Sequence, residues 1–303
     1  MNKQLLITKL KLKKILSPAL LEGILKVYRN LFGIPLFNGY NYLFFRSPKL
    51  VHIGYRNIHY NLMVNPQNGA LDKYIFFYKL YEPEVSNIFL QVIKEGDNIL
   101  DIGANIGYHS IFLSRLTGET GKVYSFEPIK RLCEQIKNSI QLNSINNIQV
   151  YNYALGNQEY KAVLHIDSKH LGGSSIIESS HLKEKEEIEV KVLDTLELPK
   201  ISLIKLDTEG YEWNVVKGAQ KIIERDKPNI LFEYNPLSYE RQNKGDAICF
   251  LNYLREHDYR LFDIENQKEE IIEINNYLKI FDETSGKYQS NILAKCNSIC
   301  QTQ

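Results

Sequence analysis

The 303-residue chain lacks three features that would place it in a class at once: paired cysteines, a strong net charge and a long apolar run. Its four cysteines form no Cys-x-x-Cys pair, so free thiols in a reducing cytoplasm are expected rather than a zinc or disulfide framework. The formal net charge of +1 argues against a nucleic-acid partner. No apolar run approaches the ~20 residues that a membrane span needs.

The first 30 residues are unusually basic. They contain seven lysine or arginine side chains, interleaved with leucine and isoleucine, and Glu22 is their single acidic residue. Ser17 followed by Pro18 predicts the start of a helix that runs to about residue 31. Two interpretations stay open for this arm. It either makes peripheral contact with the anionic inner face of a membrane, or packs on the domain or on a second subunit of a homo-oligomer.

The pattern of apolar residues changes at about residue 95. Before it, β-rich segments are followed by two predicted helices over 72–81 and 84–93, so we take residues 1–95 as an N-terminal basic helical arm and α+β cap. Residues 96–303 form the second predicted domain, in which short apolar strands alternate with helices. This alternation predicts an α/β fold with a mostly parallel, Rossmann-like sheet flanked by helices. Residues 160–192 interrupt it with a predicted hairpin. The predicted strands are 42–45, 51–53, 58–64, 98–102, 121–126, 148–153, 203–206, 229–233, 259–262 and 290–294.

A glycine-containing loop follows the first strand of the predicted sheet. Ligands bind such sheets at the carboxyl ends of the strands, so this loop is expected to contact a cofactor. A dinucleotide fingerprint needs glycine at positions 105 and 108, where this chain has asparagine and tyrosine. The loop therefore favours S-adenosylmethionine over a nicotinamide dinucleotide. The candidate cofactor-binding residues of the loop are Asp101, Gly103, Ala104, Asn105 and Gly107. Of these, Gly103 permits a tight turn, Ala104 lets a ligand approach the backbone, and Gly107 lets the next helix pack closely on the strand.

Residues after the second and third strands complete the predicted cofactor site. Glu127 ends the second strand about 20 residues beyond the loop, where a carboxylate can accept hydrogen bonds from both hydroxyls of a ribose. Tyr153 and Ala154 follow the third strand and are expected to border the adenine.

Acidic residues converge at the ends of the fourth and fifth strands. Asp207 and Glu209 are candidates for a general base or for a clamp on the methyl acceptor. Together with Glu233, they are also candidate ligands to a divalent cation such as Mg²⁺. The sequence leaves these roles open. Glu212 is expected to face solvent. His109, on the first turn of the helix after the glycine loop, is a further candidate for catalysis.

Several of these stretches occur together in a family of known enzymes. They are Tyr-Glu-Pro-Glu at 81–84, the loop at 101–107, Phe-Glu-Pro at 126–128, Val-Leu-Asp-Thr at 192–195, Lys-Leu-Asp-Thr-Glu-Gly-Tyr-Glu at 205–212 and Lys-Gly-Ala at 217–219. In this order the chain resembles the FkbM-type methyltransferases over about residues 80–236. The resemblance implies a class I methyltransferase fold and O-methylation, often of sugars or polyketide-like hydroxyls. It does not interpret residues 1–70.

The expected function is transfer of a methyl group from S-adenosylmethionine to a hydroxyl of a glycan, glycolipid or other hydroxylated metabolite. A cell-surface polysaccharide or its lipid-linked precursor would also suit the basic arm. The alternatives are a methyltransferase acting on a protein or another small molecule, and an oxidoreductase that uses a nicotinamide cofactor.

Overall fold

The computed structural model describes residues 48–66, 69–166, 184–265, 269–281 and 287–296. The predicted helix over 18–31, the strand over 42–45 and the turn at 172–175 lie outside these residues. No helix among the described residues has the length and apolar character to cross a membrane.

The first described segment is a hairpin followed by two helices. Its elements are β1 (Lys49–Tyr55), β2 (Ile58–Val64), α1 (Ala70–Tyr78) and α2 (Pro83–Val92). The helix predicted over 72–81 ends earlier because Lys79 adopts a left-handed backbone conformation, with φ of 57°. The hairpin buries Ile53, Tyr60 and Leu62 against the helices of the second domain. The described part of the predicted cap therefore shares a core with that domain, and the boundary at residue 95 stays a prediction.

The remaining elements alternate as predicted. In chain order they are β3 (Asn98–Ile102), α3 (Tyr108–Thr117), β4 (Lys122–Phe126), α4 (Lys130–Leu142), β5 (Ile148–Tyr151), β6 (Ala154–Gly156), β7 (Tyr160–Ile166), β8 (Glu184–Val192), β9 (Leu203–Leu206), α5 (Glu212–Lys217), α6 (Gln220–Asp226), β10 (Asn229–Tyr234), α7 (Pro236–Gln242), α8 (Asp246–Glu256), β11 (Tyr259–Asp263), β12 (Glu269–Glu270), α9 (Ile274–Leu278) and β13 (Ser290–Cys296).

The central sheet has the strand order β12-β11-β13-β10-β9-β3-β4-β5. Neighbours from β10 through β5 pair in parallel, whereas β13 lies antiparallel between β10 and β11. The predicted α/β class is confirmed. The chain order reverses on either side of β3, because β4 lies on one edge of it and β9 on the other. The carboxyl end of β3 is therefore where this topology places a ligand.

A separate three-stranded sheet, ordered β6-β8-β7, accounts for the interruption of the alternation. The predicted hairpin is confirmed, and it pairs Tyr160 with Val190 through Ile166 with Glu184. The strand predicted over 148–153 ends at Tyr151, and a separate strand, β6, begins at Ala154. The chain leaves the central sheet at Asn152, whose Nδ2 donates to the backbone oxygens of Glu127 and Pro128 at 3.1 and 2.7 Å.

The helix predicted through about residue 224 is also divided in two, and the break falls at Gly218. A Cβ there would lie 2.0 Å from the backbone oxygen of Gly156, so this part of the chain packs directly on β6. The sequence pattern does not predict the short helices α7 and α9, each of which has seven residues or fewer.

Candidate active site

The loop after β3 is fixed by its own backbone. The amide groups of Gly103 and Ala104 both donate to the backbone oxygen of Phe126 at 3.0 Å. Gly103 has a φ of +80°, and a Cβ there would lie 1.8 Å from the backbone oxygen of Asp207. Glycine is therefore required at this turn by the close approach of the chain after β9, in addition to the backbone conformation.

Gly107 and Asn105 also have left-handed backbones, with φ of +82° and +52°. A Cβ on Gly107 would lie 3.0 Å from Ile136 Cγ1, so the close contact is with α4, not with the strand as the sequence suggested. Asparagine is one of the few residues that adopt this conformation readily. The backbone of Asn105 thus adopts a left-handed conformation that glycine also adopts readily, and Asn105 lines the pocket beside the loop.

Glu127 is buried at the base of this pocket, with an exposed fraction of 4%. Its Oε2 accepts from the amide of Asn105 and its Oε1 from the amide of Ile129, both at 2.9 Å. Burial raises the pKa of Glu127 to about 8, and these two amide groups oppose the shift. Each carboxylate oxygen can accept a second hydrogen bond. The two vicinal hydroxyls of a ribose could therefore each donate to one oxygen of Glu127.

The wall next to Glu127 is largely apolar, which suits a flat aromatic base such as adenine. Tyr153 and Ala154 both line it. The ring centroids of Tyr153 and Phe126 are 5.7 Å apart. The Nζ of Lys191 lies 4.5 Å from the ring centroid of Tyr153. The further apolar side chains of this wall are Ile102, Ile129, Leu132, Leu155, Leu164 and Ile188.

Four predicted site residues are buried outside the pocket lining: Asp101, Ala104, Gly107 and His109. Asp101 Oδ2 accepts from Ser110 Oγ at 2.5 Å, and its Oδ1 lies 3.7 Å from Lys205 Nζ. Asp101 thus has internal partners, and its side chain lies next to that of Lys205, whereas its contact with the cofactor stays a prediction.

His109 does not face the pocket because its ring is held by the N-terminal segment. Its Nε2 lies 2.9 Å from Glu82 Oε2, and its exposed fraction is 4%. Burial alone would raise the pKa of Glu82. The hydrogen bond and the charge of His109, together with the charge of Lys205, outweigh burial and hold this pKa below its ordinary value. Glu82 also has a left-handed backbone conformation, which is uncommon for a residue other than glycine, with φ of 43°. The pair ties the start of α2 to α3.

The carboxylates of Asp207, Glu209 and Glu233 meet at the other part of the pocket lining. One oxygen from each lies within 4.8 Å of the others, a separation that could hold a metal ion. Lys205 Nζ donates to Asp207 Oδ2 at 3.2 Å, and Gln289 Nε2 donates to Glu233 Oε1 at 2.6 Å. We call these three carboxylates the acid cluster.

Desolvation, together with the crowding of negative charge, raises the pKa of two carboxylates in this cluster. Desolvation and then the charge of Asp207 raise the pKa of Glu209 to about 8, although its side chain is exposed within the pocket. The same causes raise the pKa of Glu233 to about 10. Burial of Lys205 is outweighed by the charges of Asp207 and Asp101, so its pKa lies above the ordinary value and it remains a cation.

Glu212 is completely buried, so the expectation that it faces solvent is wrong. Its Oε1 accepts from the amide and hydroxyl of Thr208 at 2.6 and 3.0 Å, and from the amide of Gly210 at 3.3 Å. Its Oε2 accepts from Tyr239 Oη at 3.0 Å. Amides before a helix need acceptors, and this carboxylate supplies one for the turn that carries the acid cluster.

Comparison with known proteins identifies the family. The model of the methyltransferase FkbM domain matches residues 101–261, which is more than half of the chain. The chain belongs to the FkbM methyltransferase family. It is therefore a methyltransferase that uses S-adenosylmethionine, and the pocket beside Glu127 fits that cofactor.

Other relatives of this FkbM-family methyltransferase match over shorter stretches. The protein-L-isoaspartate O-methyltransferase of Fervidobacterium nodosum is 30% identical over 146 residues, which are 46% of this chain and 66% of that protein. That of Methanococcus maripaludis is 38% identical over 58 residues, 19% of this chain and 27% of that protein. The chain thus spans less than two thirds of either relative. A crystal structure of methyltransferase FkbM from Methylobacillus flagellatus KT aligns with 69% of this chain and 50% of its own, at 16% identity and a TM-score of 0.43.

The FkbM-family pocket also contains residues to which the sequence pattern assigns no role. Tyr81 and Tyr211 line it, and so does Gln289, which holds Glu233. Tyr81 is the first residue of the Tyr-Glu-Pro-Glu motif at 81–84, and this motif is the feature of the sequence that could have indicated its place in the site. Gln289 lies in no motif, so only the pairing of β13 with β10 brings it to the acid cluster.

Proposed function

We propose that this methyltransferase transfers a methyl group to a hydroxyl oxygen of a glycan, a glycolipid or another hydroxylated metabolite. The observation that carries the proposal is the acid cluster, whose three carboxylates lie in the same pocket as Glu127. A hydroxyl must lose its proton as its oxygen attacks a methyl group, and carboxylates within hydrogen-bond reach can accept that proton.

The cofactor supplies an electrophilic methyl group on a sulfonium. We assign the two ribose hydroxyls to Glu127, and the surrounding wall to Gly103, Asn105, Tyr153 and Ala154. Three further residues act through their neighbours. Asp101 supports Lys205, Ala104 donates to Phe126, and Gly107 allows α4 to pack on the loop.

Within the acid cluster, Glu209 is proposed as the base. Its pKa of about 8 places its proton affinity near the working pH, which is where a general base is most effective. It also has a strained backbone, with φ of 55°, of the kind that accumulates at functional sites. Asp207, held by Lys205, is proposed to accept a hydrogen bond from the acceptor hydroxyl and orient it.

A divalent cation is the alternative role for Asp207, Glu209 and Glu233. Carboxylate oxygens are the ligands that Mg²⁺ prefers, and such an ion would acidify a bound hydroxyl. The two alternatives differ in their response to chelation: a cation mechanism loses activity in EDTA and regains it with Mg²⁺, whereas a direct base does not.

The acid cluster also bears on the class of acceptor. An isoaspartyl group, which the names of the relatives specify, presents a carboxylate. Asp207 would repel it, and the desolvation and negative charge that raise the pKa of Glu209 and Glu233 would also disfavour a further anion in this pocket. A neutral hydroxyl has no such conflict, and this favours the proposed acceptor over a protein isoaspartate.

The basic arm supports a separate proposal on location. Its seven basic side chains are suited to an anionic surface, so we propose a cytoplasmic enzyme in peripheral contact with the inner membrane face. Flotation with anionic liposomes should be lost on deletion of residues 1–35. Unchanged flotation would leave the arm as a packing element of the domain or of a homo-oligomer.

The test of function is release of S-adenosylhomocysteine with a panel of sugars, other hydroxylated compounds and an isoaspartyl peptide, each with and without EDTA. Glu209→Gln and Asp207→Asn should each lower turnover on a hydroxyl acceptor by about 10²-fold or more. The wild-type rate should rise with pH through about 8 as Glu209 loses its proton. Glu256→Gln, an exposed change on α8, is the control. Turnover on the peptide alone would refute a hydroxyl acceptor.

A further inference from the structure

An aromatic strip lies on the surface of α1 and begins at the pocket. Leu71, Tyr74 and Tyr78 are spaced by three and four residues, so they share one face of this helix. Leu71 lines the pocket, whereas Tyr74 and Tyr78 have exposed fractions of 48% and 37%. The strip thus continues from the pocket onto the outer surface.

The rings of this strip form a row with a ring inside the pocket. The centroid of Tyr74 lies 4.6 Å from that of Tyr78 and 6.3 Å from that of Tyr81, which lines the pocket. The backbone amide of Tyr81 donates to Tyr108 Oη at 3.1 Å, which fixes the inner end of the row. Three tyrosine rings therefore lead from the surface to the site.

The inner end of the row lies in the same pocket as the acid cluster, because Tyr81, Asp207 and Glu233 all line it. Burial, followed by the negative charges of Glu82, Asp207 and Glu233, raises the pKa of Tyr81 above its ordinary value. A molecule whose hydroxyl reaches the acid cluster would therefore pass Tyr81, and its remainder would extend along Tyr74 and Tyr78.

The chemistry of the row indicates what it binds. Contiguous exposed apolar surface beside a pocket is typical of a ligand-binding groove, whereas single exposed aromatic residues are common. Each tyrosine combines an apolar ring face with a hydroxyl at its edge. A pyranose ring has the matching surface, with C–H groups on its faces and hydroxyls at its edge. A row of rings fits a chain of such units better than a single one.

We propose that Tyr74 and Tyr78 form an acceptor subsite, which binds the sugar ring next to the one that receives the methyl group. The inference rests on the proposed function, because it takes the hydroxyl acceptor to be a carbohydrate. It adds that the acceptor is a glycan of at least two residues, and that α1 contributes to its selection.

The subsite can be tested by binding, without turnover. Affinities of glucose, maltose and maltotriose, and of the matching mannose series, are measured by saturation-transfer NMR with the full chain and S-adenosylhomocysteine. In at least one series, the disaccharide should bind on the order of tenfold more tightly than the monosaccharide. The double change Tyr74→Ala with Tyr78→Ala should remove this preference. Alanine is the best helix former, so α1 is expected to persist, and circular dichroism checks it.

Two further variants separate ring contact from general disturbance. Tyr74→Phe with Tyr78→Phe should keep most of the preference, because the ring faces remain. Leu142→Ala, which removes an exposed apolar side chain at the end of α4, should leave it unchanged. Equal binding of mono- and disaccharides by the wild type, no binding in either series, or a preference that survives the alanine changes would each overturn the subsite.

Failure of the proposed function gives a different result. If the disaccharide preference depends on Tyr74 and Tyr78 but no hydroxyl is methylated, the subsite stands and the proposed reaction fails. If a hydroxyl compound that is not a sugar is methylated and no sugar binds, the reaction stands and the subsite fails.

Discussion

The loop after β3 and the acid cluster line the same pocket, but they are held in different ways. In the loop, the amides of Gly103 and Ala104 bond to Phe126, and that of Asn105 bonds to Glu127, so the backbone fixes the geometry. The acid cluster consists of side chains that crowd one another, and two of them, Glu209 and Glu233, bind protons more tightly than usual. Backbone hydrogen bonds therefore set the shape of the cofactor side, whereas the shape of the acceptor side depends on the charge of its carboxylates and should respond to pH and to bound ligands.

The largest effect is expected from a substitution that disrupts the contact between the cofactor loop and the chain after β9. Gly103→Ala would place a Cβ 1.8 Å from the backbone oxygen of Asp207 and strain a backbone at φ of +80°. We expect the free energy of unfolding to fall by about 4 kcal/mol, measured by urea denaturation. Gly245→Ala is the matched control. Its φ is +90° with no atom within 4 Å of the added Cβ, and we expect a loss of about 1 kcal/mol. Equal losses would show that the contact with Asp207 is unimportant.

The next effect concerns the turn that carries the acid cluster. Glu212→Ala would leave the amides of Thr208 and Gly210 without their acceptor, whereas the hydroxyl of Tyr239 would keep the backbone oxygen of Glu233 at 3.0 Å. We expect a loss of about 3 kcal/mol in the free energy of unfolding. Glu256→Ala on the exposed surface of α8 should change it by less than about 0.5 kcal/mol. Similar values for the two variants would contradict the proposed role of Glu212.

The difference between the two sides also explains what the sequence could predict. The cofactor loop is seven consecutive residues whose spacing follows from backbone geometry, and strand periodicity placed it at the end of β3. The three acids of the acceptor side could also be predicted, because they follow the ends of two neighbouring strands. Its other residues, Tyr81, Lys205 and Gln289, are far apart in the chain and meet only in the folded protein. Tyr81 lies between α1 and α2, Lys205 is on β9, and the pairing of β13 with β10 brings Gln289 to the cluster. Glu212 was misjudged because a helical position alone does not show which face of the helix packs inward.

A smaller effect is expected on the pH dependence of stability, and it concerns the raised pKa of Glu233 in the acid cluster. The pKa of Glu233 is raised from an ordinary value of 4.5 to about 10, so the folded protein binds its proton more tightly than the unfolded chain does. This contribution to stability is complete below pH 4.5 and is lost as the pH rises toward 10. Glu233→Gln resembles the protonated form and should be more stable than the wild type by about 1 kcal/mol at pH 9.

Thermal unfolding from pH 5 to pH 9 measures this difference. The stability of the wild type should fall relative to that of Glu233→Gln across the range. Parallel pH dependence of the two proteins would contradict the raised pKa. A cation bound to Asp207, Glu209 and Glu233 would favour the charged carboxylates, so added Mg²⁺ should reduce the difference if the cluster holds one.

The division of the pocket into a cofactor side and an acceptor side is tested most directly by calorimetric titration of S-adenosylhomocysteine into three proteins. Relative to the wild type, Glu127→Gln should bind it about tenfold or more weakly. Glutamine replaces one of the two acceptor oxygens with an NH2 group, which cannot accept from a ribose hydroxyl or from the backbone amides that Glu127 now holds. Asp207→Asn should bind it within about twofold of the wild type. Unchanged affinity in Glu127→Gln, or an equal loss in Asp207→Asn, would contradict the division.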